Sequence, residues 1–238
     1  MDTSGPGDAP GRVHPPRLLA GLLPIGVVSV ESRKVGNAAL LYPQEAQNCR
    51  YFGQDRIGEY AAGRLCARRG LRKFGILGFP LLISSDRNPL WPPGIVGSIS
   101  HTAGFCGVAV ARRGGFAGVG IDAEVVGRVT PNTWPRLFLS TEEGWLRSLS
   151  GLQLGRSATI MFSAKEAFYK CQWPVTAISL DFRDVSVEME PAIEAGPGTF
   201  RIRPQSAVCR SMFGNRALRG SYHIDGQLAV TGIALRNR

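Results

Sequence analysis

The spacing of apolar and polar positions along the chain predicts helices mixed with mostly antiparallel strands. LLPIGVVSVES has strand character, whereas from Pro43 to Gly70 apolar and basic groups recur at three- and four-residue steps, the period of a helix. A turn-rich segment, SSDRNPLWPPG, leads into IVGSIS, which has strand composition. GFCGVAVA, RRGG and FAGVGID then read as a β-hairpin with a Gly-rich loop. Ser140-Thr-Glu-Glu143 fits a capping box that opens a short helix through Trp145 and Leu146. A second helix runs from about Ser157 to Cys171. On it Ile160, Met161, Ala164, Phe168 and Cys171 form one stripe, the expected buried side. Phe162, Ser163, Glu166 and Lys170 fall opposite. Strand-like stretches follow at Ala177–Glu188 and Thr199–Arg203, and then a hairpin of GSYHI and QLAVTGIAL turns at Asp225-Gly226. Residues 1–16, rich in Gly and Pro, read as a flexible lead-in.

Composition narrows the function class. With 238 residues, 44% of them hydrophobic, the chain is long enough for one large domain or two packed halves, which excludes a disordered or fibrous protein. Its 28 Lys+Arg against 18 Asp+Glu leave a net charge of +10, which calls for an anionic partner. The five cysteines are scattered without a Cys-x-x-Cys pair, so neither a zinc site nor a disulfide framework is indicated. The apolar stretch Leu18–Val30 is too short to span a membrane and contains Pro24. It also lacks the basic start and cleavage site of a signal peptide, so a cytoplasmic protein with no membrane attachment is expected.

Three places carry candidate chemistry. His101 ends the strand segment Ser98-Ile-Ser-His101, where a lone histidine is usually capped or solvated. In Gly120-Ile-Asp-Ala-Glu124, side chains two apart share one face of a strand, with backbones about 7 Å apart. Asp122 and Glu124 form either a polar strand end or a pair of hard oxygen ligands of the kind that suits Mg²⁺. Glu166 and Lys170 form either a surface pair worth about 0.2–0.5 kcal/mol or a third carboxylate beside a phosphate-binding lysine. Spacing alone does not choose.

In order along the chain, Arg56-x7-Arg64, Trp91-Pro-Pro-Gly-Ile-Val-Gly-Ser-Ile-Ser-His101, Gly120-Ile-Asp-Ala-Glu124 and Phe162-Ser-Ala-Lys-Glu-Ala-Phe-Tyr-Lys170 resemble the 4′-phosphopantetheinyl transferase superfamily. Within it the likeness is to the branch of the enterobactin-synthase and mycobacterial enzymes, over residues of about 50 to 175. The resemblance implies an α+β fold of two similar α/β halves related by a pseudo-twofold, with the active site in the cleft between them. The halves would divide into 17–116 and 117–238, with a seam near Gly115–Gly118. It implies transfer of 4′-phosphopantetheine from coenzyme A to a serine of an apo carrier protein, dependent on Mg²⁺ or Mn²⁺, with release of adenosine 3′,5′-bisphosphate. By motif position Asp122, Glu124 and Glu166 correspond to the metal-binding acids. Arg56, Arg64, Arg87, Ser100, His101, Lys165 and Lys170 correspond to coenzyme A contacts. Glu166 and Lys170 are the catalytic candidates, with Glu166 either taking the carrier serine's proton or serving only as a metal ligand while water relays it. Thr102 after the histidine and Cys171-Gln-Trp173 after the helix motif depart from the usual residues, and neither position is a metal acid.

The basic surface then suits an acidic carrier protein. Trp134, Leu137 and Phe138 are either an apolar patch for that carrier or part of the core. A monomer is expected. Two other readings stay open on sequence: a metal-dependent phosphoanhydride hydrolase, and a basic nucleic-acid-binding protein. The second finds no zinc-finger or RNP-like motif here, and the family resemblance implies no nucleic-acid partner.

Overall fold

The computed structural model describes residues 17–102, 104–189 and 196–237, so the predicted lead-in lies outside the described residues. Two antiparallel sheets each carry one long helix. In the first, β1 (Val27–Ser32), β2 (Ile95–Thr102) and β3 (Phe105–Arg112) are ordered β1-β3-β2. Helix α1 (Pro43–Asn48) leads into α2 (Gln54–Arg72), which covers one face of that sheet. The continuous helix expected over 43–70 is therefore broken. A turn intervenes at Cys49–Gly53, closed by the Phe52 N–H on the Cys49 carbonyl at 3.0 Å, and extended Gly53 then caps α2.

The second sheet is ordered β4-β8-β7-β6-β5 and contains β4 (Phe116–Val125), β5 (Val185–Met189), β6 (Gly196–Pro204), β7 (Leu218–Asp225) and β8 (Leu228–Arg236). Between β4 and β5 come α3 (Trp134–Leu137), α4 (Ser140–Arg147) and the 26-residue α5 (Gly151–Thr176); α6 (Ala207–Phe213) joins β6 to β7. This is the α+β architecture in two halves that the sequence led us to expect. Among the described residues no helix is long and apolar enough to cross a membrane.

Strand pairing departs from the sequence reading in one important way. β3 and β4 do not form a hairpin, because both edges of β3 are already taken by β1 and β2. The turn at 113–115 instead hands the chain to the second sheet, where β4 pairs with β8. The hairpin partner of β3 is β2, with His101 opposite Cys106. Alternation along β3 then sorts the cores. Cys106, Val108 and Val110 pack beneath α2, while Ala109 and Ala111 join Leu18, Leu22, Val119, Ile121 and Val230 between the sheets.

Helix α5 runs past both predicted ends and stops where Ala177 takes a left-handed conformation at φ 51°. The strand expected over 177–188 is consequently shortened to Val185–Met189, preceded by a 3₁₀ turn at Phe182–Asp184. The final hairpin turns at Asp225-Gly226 as predicted, with Gly226 at φ 58°.

Candidate active site

Alternation places Gly118, Gly120, Asp122 and Glu124 on one face of β4, the face that α5 covers. A Cβ at Gly118 would stand 2.0 Å from the Cys171 carbonyl oxygen, and one at Gly120 only 1.8 Å from that of Ala167. Two absent side chains thus let the helix rest on bare strand backbone. The same close approach delivers the last turns of α5 to the acidic end of β4, where Lys170 Nζ lies 2.6 Å from Asp122 Oδ1.

Asp122 is nearly buried, at 4% exposure. Its Oδ1 also accepts the Ser100 hydroxyl at 3.0 Å, whereas its buried Oδ2 has no partner. Burial, followed by the charges of Asp122 and Glu166, pushes the Glu124 carboxyl up to about 7 against the pull of Lys170. Burial likewise raises Glu166; Lys170 opposes the shift and Asp122 adds to it. Glu124 and Glu166 thus both feel the charge of Asp122. Among the described residues, however, no three His, Cys, Asp or Glu side chains are gathered into a ready metal cage. Three carboxylates repel, and the Lys170 ammonium lies against Asp122.

The residues expected at phosphate face a cleft of about 840 Å³, lined by Arg56, Arg64, Arg87, His101 and Lys170 together with the aromatic Trp91 and Trp173. The cleft has walls from both halves. Arg56 donates to His101 Nε2 at 2.5 Å and to Glu59 Oε2 at 3.0 Å, and that same carboxylate oxygen faces His101 Nδ1 at 3.4 Å. Burial and the adjacent Arg56 hold His101 below the ordinary imidazole range, so it accepts from Arg56 as the neutral ring. Arg64 is 5% exposed. Its Nε donates to the Leu81 carbonyl at 2.9 Å, its guanidinium stacks 3.8 Å over Tyr60, and one terminal nitrogen is buried without a partner. Arg87 reaches the rim from a tight turn in which its own φ is 62°.

Several expectations need correction. Lys165, expected at the cofactor, is buried and turns its ammonium to Glu142 Oε2 at 2.7 Å and the Leu137 carbonyl at 2.9 Å. Glu142 in turn closes α4 by accepting the Leu139 N–H at 2.8 Å, so the cap lies one residue before Ser140 and uses Glu142, not Glu143. Ser163, expected on the open side of α5, is fully buried because β8 covers it, and its hydroxyl meets that of Thr231 at 2.9 Å. Of the two readings left open for Trp134 and Phe138, the core holds: they are 2% and 1% exposed and packed beside α5. Ser100, expected at the cofactor, instead directs its hydroxyl to Asp122 and accepts the Ala123 N–H. Sequence reasoning passed over Glu59, although its place three residues after Arg56 on a helix was a usable signal. It also missed a second hollow of about 260 Å³ beside Glu166, lined by Phe168, Tyr169, Leu180 and Phe182.

Models of known families match both halves: the 4′-phosphopantetheinyl transferase N-terminal domain over residues 44–111 and the 4′-phosphopantetheinyl transferase superfamily over 118–225. The chain belongs to the 4′-phosphopantetheinyl transferase superfamily. Among its relatives, 4′-phosphopantetheinyl transferase Svp of Streptomyces mobaraensis is 35% identical over 201 residues, covering 83% of this chain and 79% of that protein. 4′-phosphopantetheinyl transferase PptT of Mycobacterium tuberculosis is 31% identical over 196 residues, with 81% and 85% covered. Enterobactin synthase component D of Escherichia coli strain K12 is 33% identical over 156 residues, with 65% and 73% covered. These relatives belong to the branch that the motifs resemble. As a phosphopantetheinyl transferase, the protein is an enzyme, and its two matched segments flank the 113–115 turn that passes the chain from one sheet to the other.

Proposed function

We propose that the cleft and the acidic end of β4 together perform a metal-dependent transfer of 4′-phosphopantetheine from coenzyme A to a serine hydroxyl of an apo carrier protein. In this reading residues 17–116 supply the anchors for the nucleotide phosphates, and residues 117–238 supply the acids. The observation that carries it is the continuity of charge. Arg56, Arg64, Arg87, His101 and Lys170 face one cleft, and Lys170 links that cleft to Asp122, whose second oxygen is buried and bare.

Arg56 and His101 hold the 3′-phosphate, the guanidinium because it stays charged and presents a planar fork of donors. Arg64, with a buried donor to spare, and Arg87 at the rim extend the anchoring. Asp122, Glu124 and Glu166 fit a hard cation, since all are oxygen donors and both Glu124 and Glu166 have carboxyls raised by burial and by the charge of Asp122. Mg²⁺ held there would neutralise the diphosphate and withdraw charge from the phosphorus under attack. Lys170, released from Asp122, meets the diphosphate. The hollow beside Glu166, where Phe168, Leu180 and Phe182 stand with Ser179 and Asp181, receives the uncharged arm that is transferred. Glu166 takes the serine proton as the serine oxygen bonds to phosphorus, and the bond to adenosine 3′,5′-bisphosphate breaks.

Every group in this scheme comes from a single chain, so a monomer suffices. The excess of 28 basic over 18 acidic residues suits an acidic carrier, whose association then weakens as salt is added. Intact-mass analysis of an apo carrier incubated with the protein, coenzyme A and Mg²⁺ tests the reading. The mass gain of one phosphopantetheine is expected, abolished by a chelator and by Asp122→Ala. Release of phosphopantetheine with no carrier present would assign a hydrolase instead.

A further inference from the structure

We infer that Ser100 is a positioning residue for the metal site, holding Asp122 so that the carboxylate offers a cation one oxygen and not two. The inference rests on the proposed function above. β4 is an edge strand, paired with β8 on one side only. Along its other edge two hydroxyls from β2 stand where a neighbouring strand would bond. Ser98 Oγ accepts the Ile121 N–H at 3.1 Å, and Ser100 Oγ accepts the Ala123 N–H at 3.2 Å. Both serines are buried, at 3% and 4% exposure. The spacing is matched, i to i+2 on each strand, so the pair sets the register between the halves much as a short ladder would.

The two hydroxyls differ in where their protons go. Ser98 donates to the Ile121 carbonyl at 3.4 Å, a bond internal to the junction. Ser100 donates to Asp122 Oδ1 at 3.0 Å, the oxygen that also takes Lys170 Nζ at 2.6 Å. Oδ1 thus has two donors, while Oδ2 has none and is shut away from water. When Lys170 turns to a phosphate, Ser100 alone keeps Oδ1 engaged. Oδ2 is therefore the one oxygen of Asp122 with no donor to give up when a cation binds. One-oxygen coordination suits the small octahedral shell of Mg²⁺ and Mn²⁺, whereas Ca²⁺ readily takes both oxygens of a carboxylate. Ser100 is thereby a determinant of which cation the site prefers, and the residue after it, His101, is one of the proposed phosphate anchors.

The test uses Mn²⁺ as a spectroscopic probe, titrated by electron paramagnetic resonance into the full-length protein with coenzyme A present, followed by displacement with Ca²⁺. Thr and Val have the same shape and differ in the hydroxyl, so Ser100→Thr and Ser100→Val are compared at a temperature where both are folded. Loss of the hydroxyl in Ser100→Val is expected to weaken Mn²⁺ binding about 10-fold and to make Ca²⁺ a better competitor, with Ser100→Thr close to wild type. Ser98→Ala, which loses the companion bond without touching the carboxylate, is expected to lower Tm yet keep the same preference between Mn²⁺ and Ca²⁺. Ser100→Val with wild-type Mn²⁺ affinity and wild-type Ca²⁺ competition overturns the inference alone. Wild-type protein that binds no Mn²⁺ overturns both the inference and the proposed function.

Discussion

Helix α5 makes two lysine–carboxylate pairs five residues apart, and they have opposite characters. Lys165 and Glu142 are 1% and 4% exposed, and every polar position of the acid is used: Oε2 takes Lys165 and the Leu139 N–H, and Oε1 takes the Val187 N–H at 2.7 Å. Burial holds the Lys165 ammonium below its ordinary range, and Glu142 opposes that shift. Lys170 and Asp122 are 29% and 5% exposed, and the acid keeps one oxygen without a partner. The first pair ties α4 and β5 to α5 and has no capacity left for a ligand. The second is open to the cleft and incomplete. A buried carboxylate with all its acceptors satisfied is structure, whereas one with a bare oxygen is poised to bind.

The contrast can be broken from either side. Lys165→Ala leaves Glu142 buried with no cation, which should cost about 3–5 kcal/mol of stability, read from urea unfolding. Asp122→Asn should fold at least as well as wild type, because the oxygen facing Ser100 and Lys170 is retained. Transferase kcat should nevertheless fall by more than the roughly 10–100-fold that removing a supporting partner costs a metal site. A third test acts on the contact between α5 and β4 that carries the open pair. Gly120→Ala drives a methyl into the Ala167 carbonyl and pushes α5 off β4 beside Lys170, at about 1–3 kcal/mol or more, measured by thermal melting.

The smallest effect concerns pH. The Glu124 carboxyl is raised to about 7 in the folded protein and so binds a proton more readily there than when unfolded. Its contribution to stability is therefore present at low pH and is lost as pH climbs from the ordinary carboxylate range through about 7. Without divalent cation, Glu124→Gln should raise Tm modestly at pH 8 relative to pH 5, as judged against wild type. Mg²⁺ should shrink that difference, because a bound cation favours the ionised carboxylate. Equal pH profiles for the two proteins would remove Glu124 from the acidic cluster.

Local pattern was a good guide to element type. The stripe of Ile160, Met161, Ala164, Phe168 and Cys171 is buried throughout, at 2% exposure or less, as the helical period required. It was a poor guide to what else is buried. Ser163 falls opposite the stripe by the same period and Lys165 was expected at the cofactor, yet β8 covers the first and Glu142 of α4 holds the second. The false hairpin has the same origin. Two strands and a Gly-rich turn specify a reversal, but β3 had no free edge once β1 and β2 had taken both. Asp122, Glu124, Glu166, Arg56, Arg64, His101 and Lys170 were named through the family resemblance of their motifs; of these, Arg56, Arg64, His101 and Lys170 line the cleft, and Lys170 meets Asp122. Ser100 was named for the wrong neighbour, since strand alternation turns its hydroxyl to β4.

What the residues alone determined here is the inventory: which strands and helices form, which hard oxygen donors and phosphate-binding cations are available, and the family to which their order belongs. These follow from covalent geometry and short-range periodicity, which a linear chain carries in full. Only the tertiary structure decided which lysine is structural and which faces the cleft, and which oxygen of Asp122 is left bare. A side chain's charge, exposure and hydrogen bonds depend on neighbours supplied by distant segments. Lys170 reaches Asp122 because Gly118 and Gly120 let α5 settle onto β4, Ser100 reaches it because β2 runs along β4, and Glu142 reaches Lys165 because α4 packs against α5.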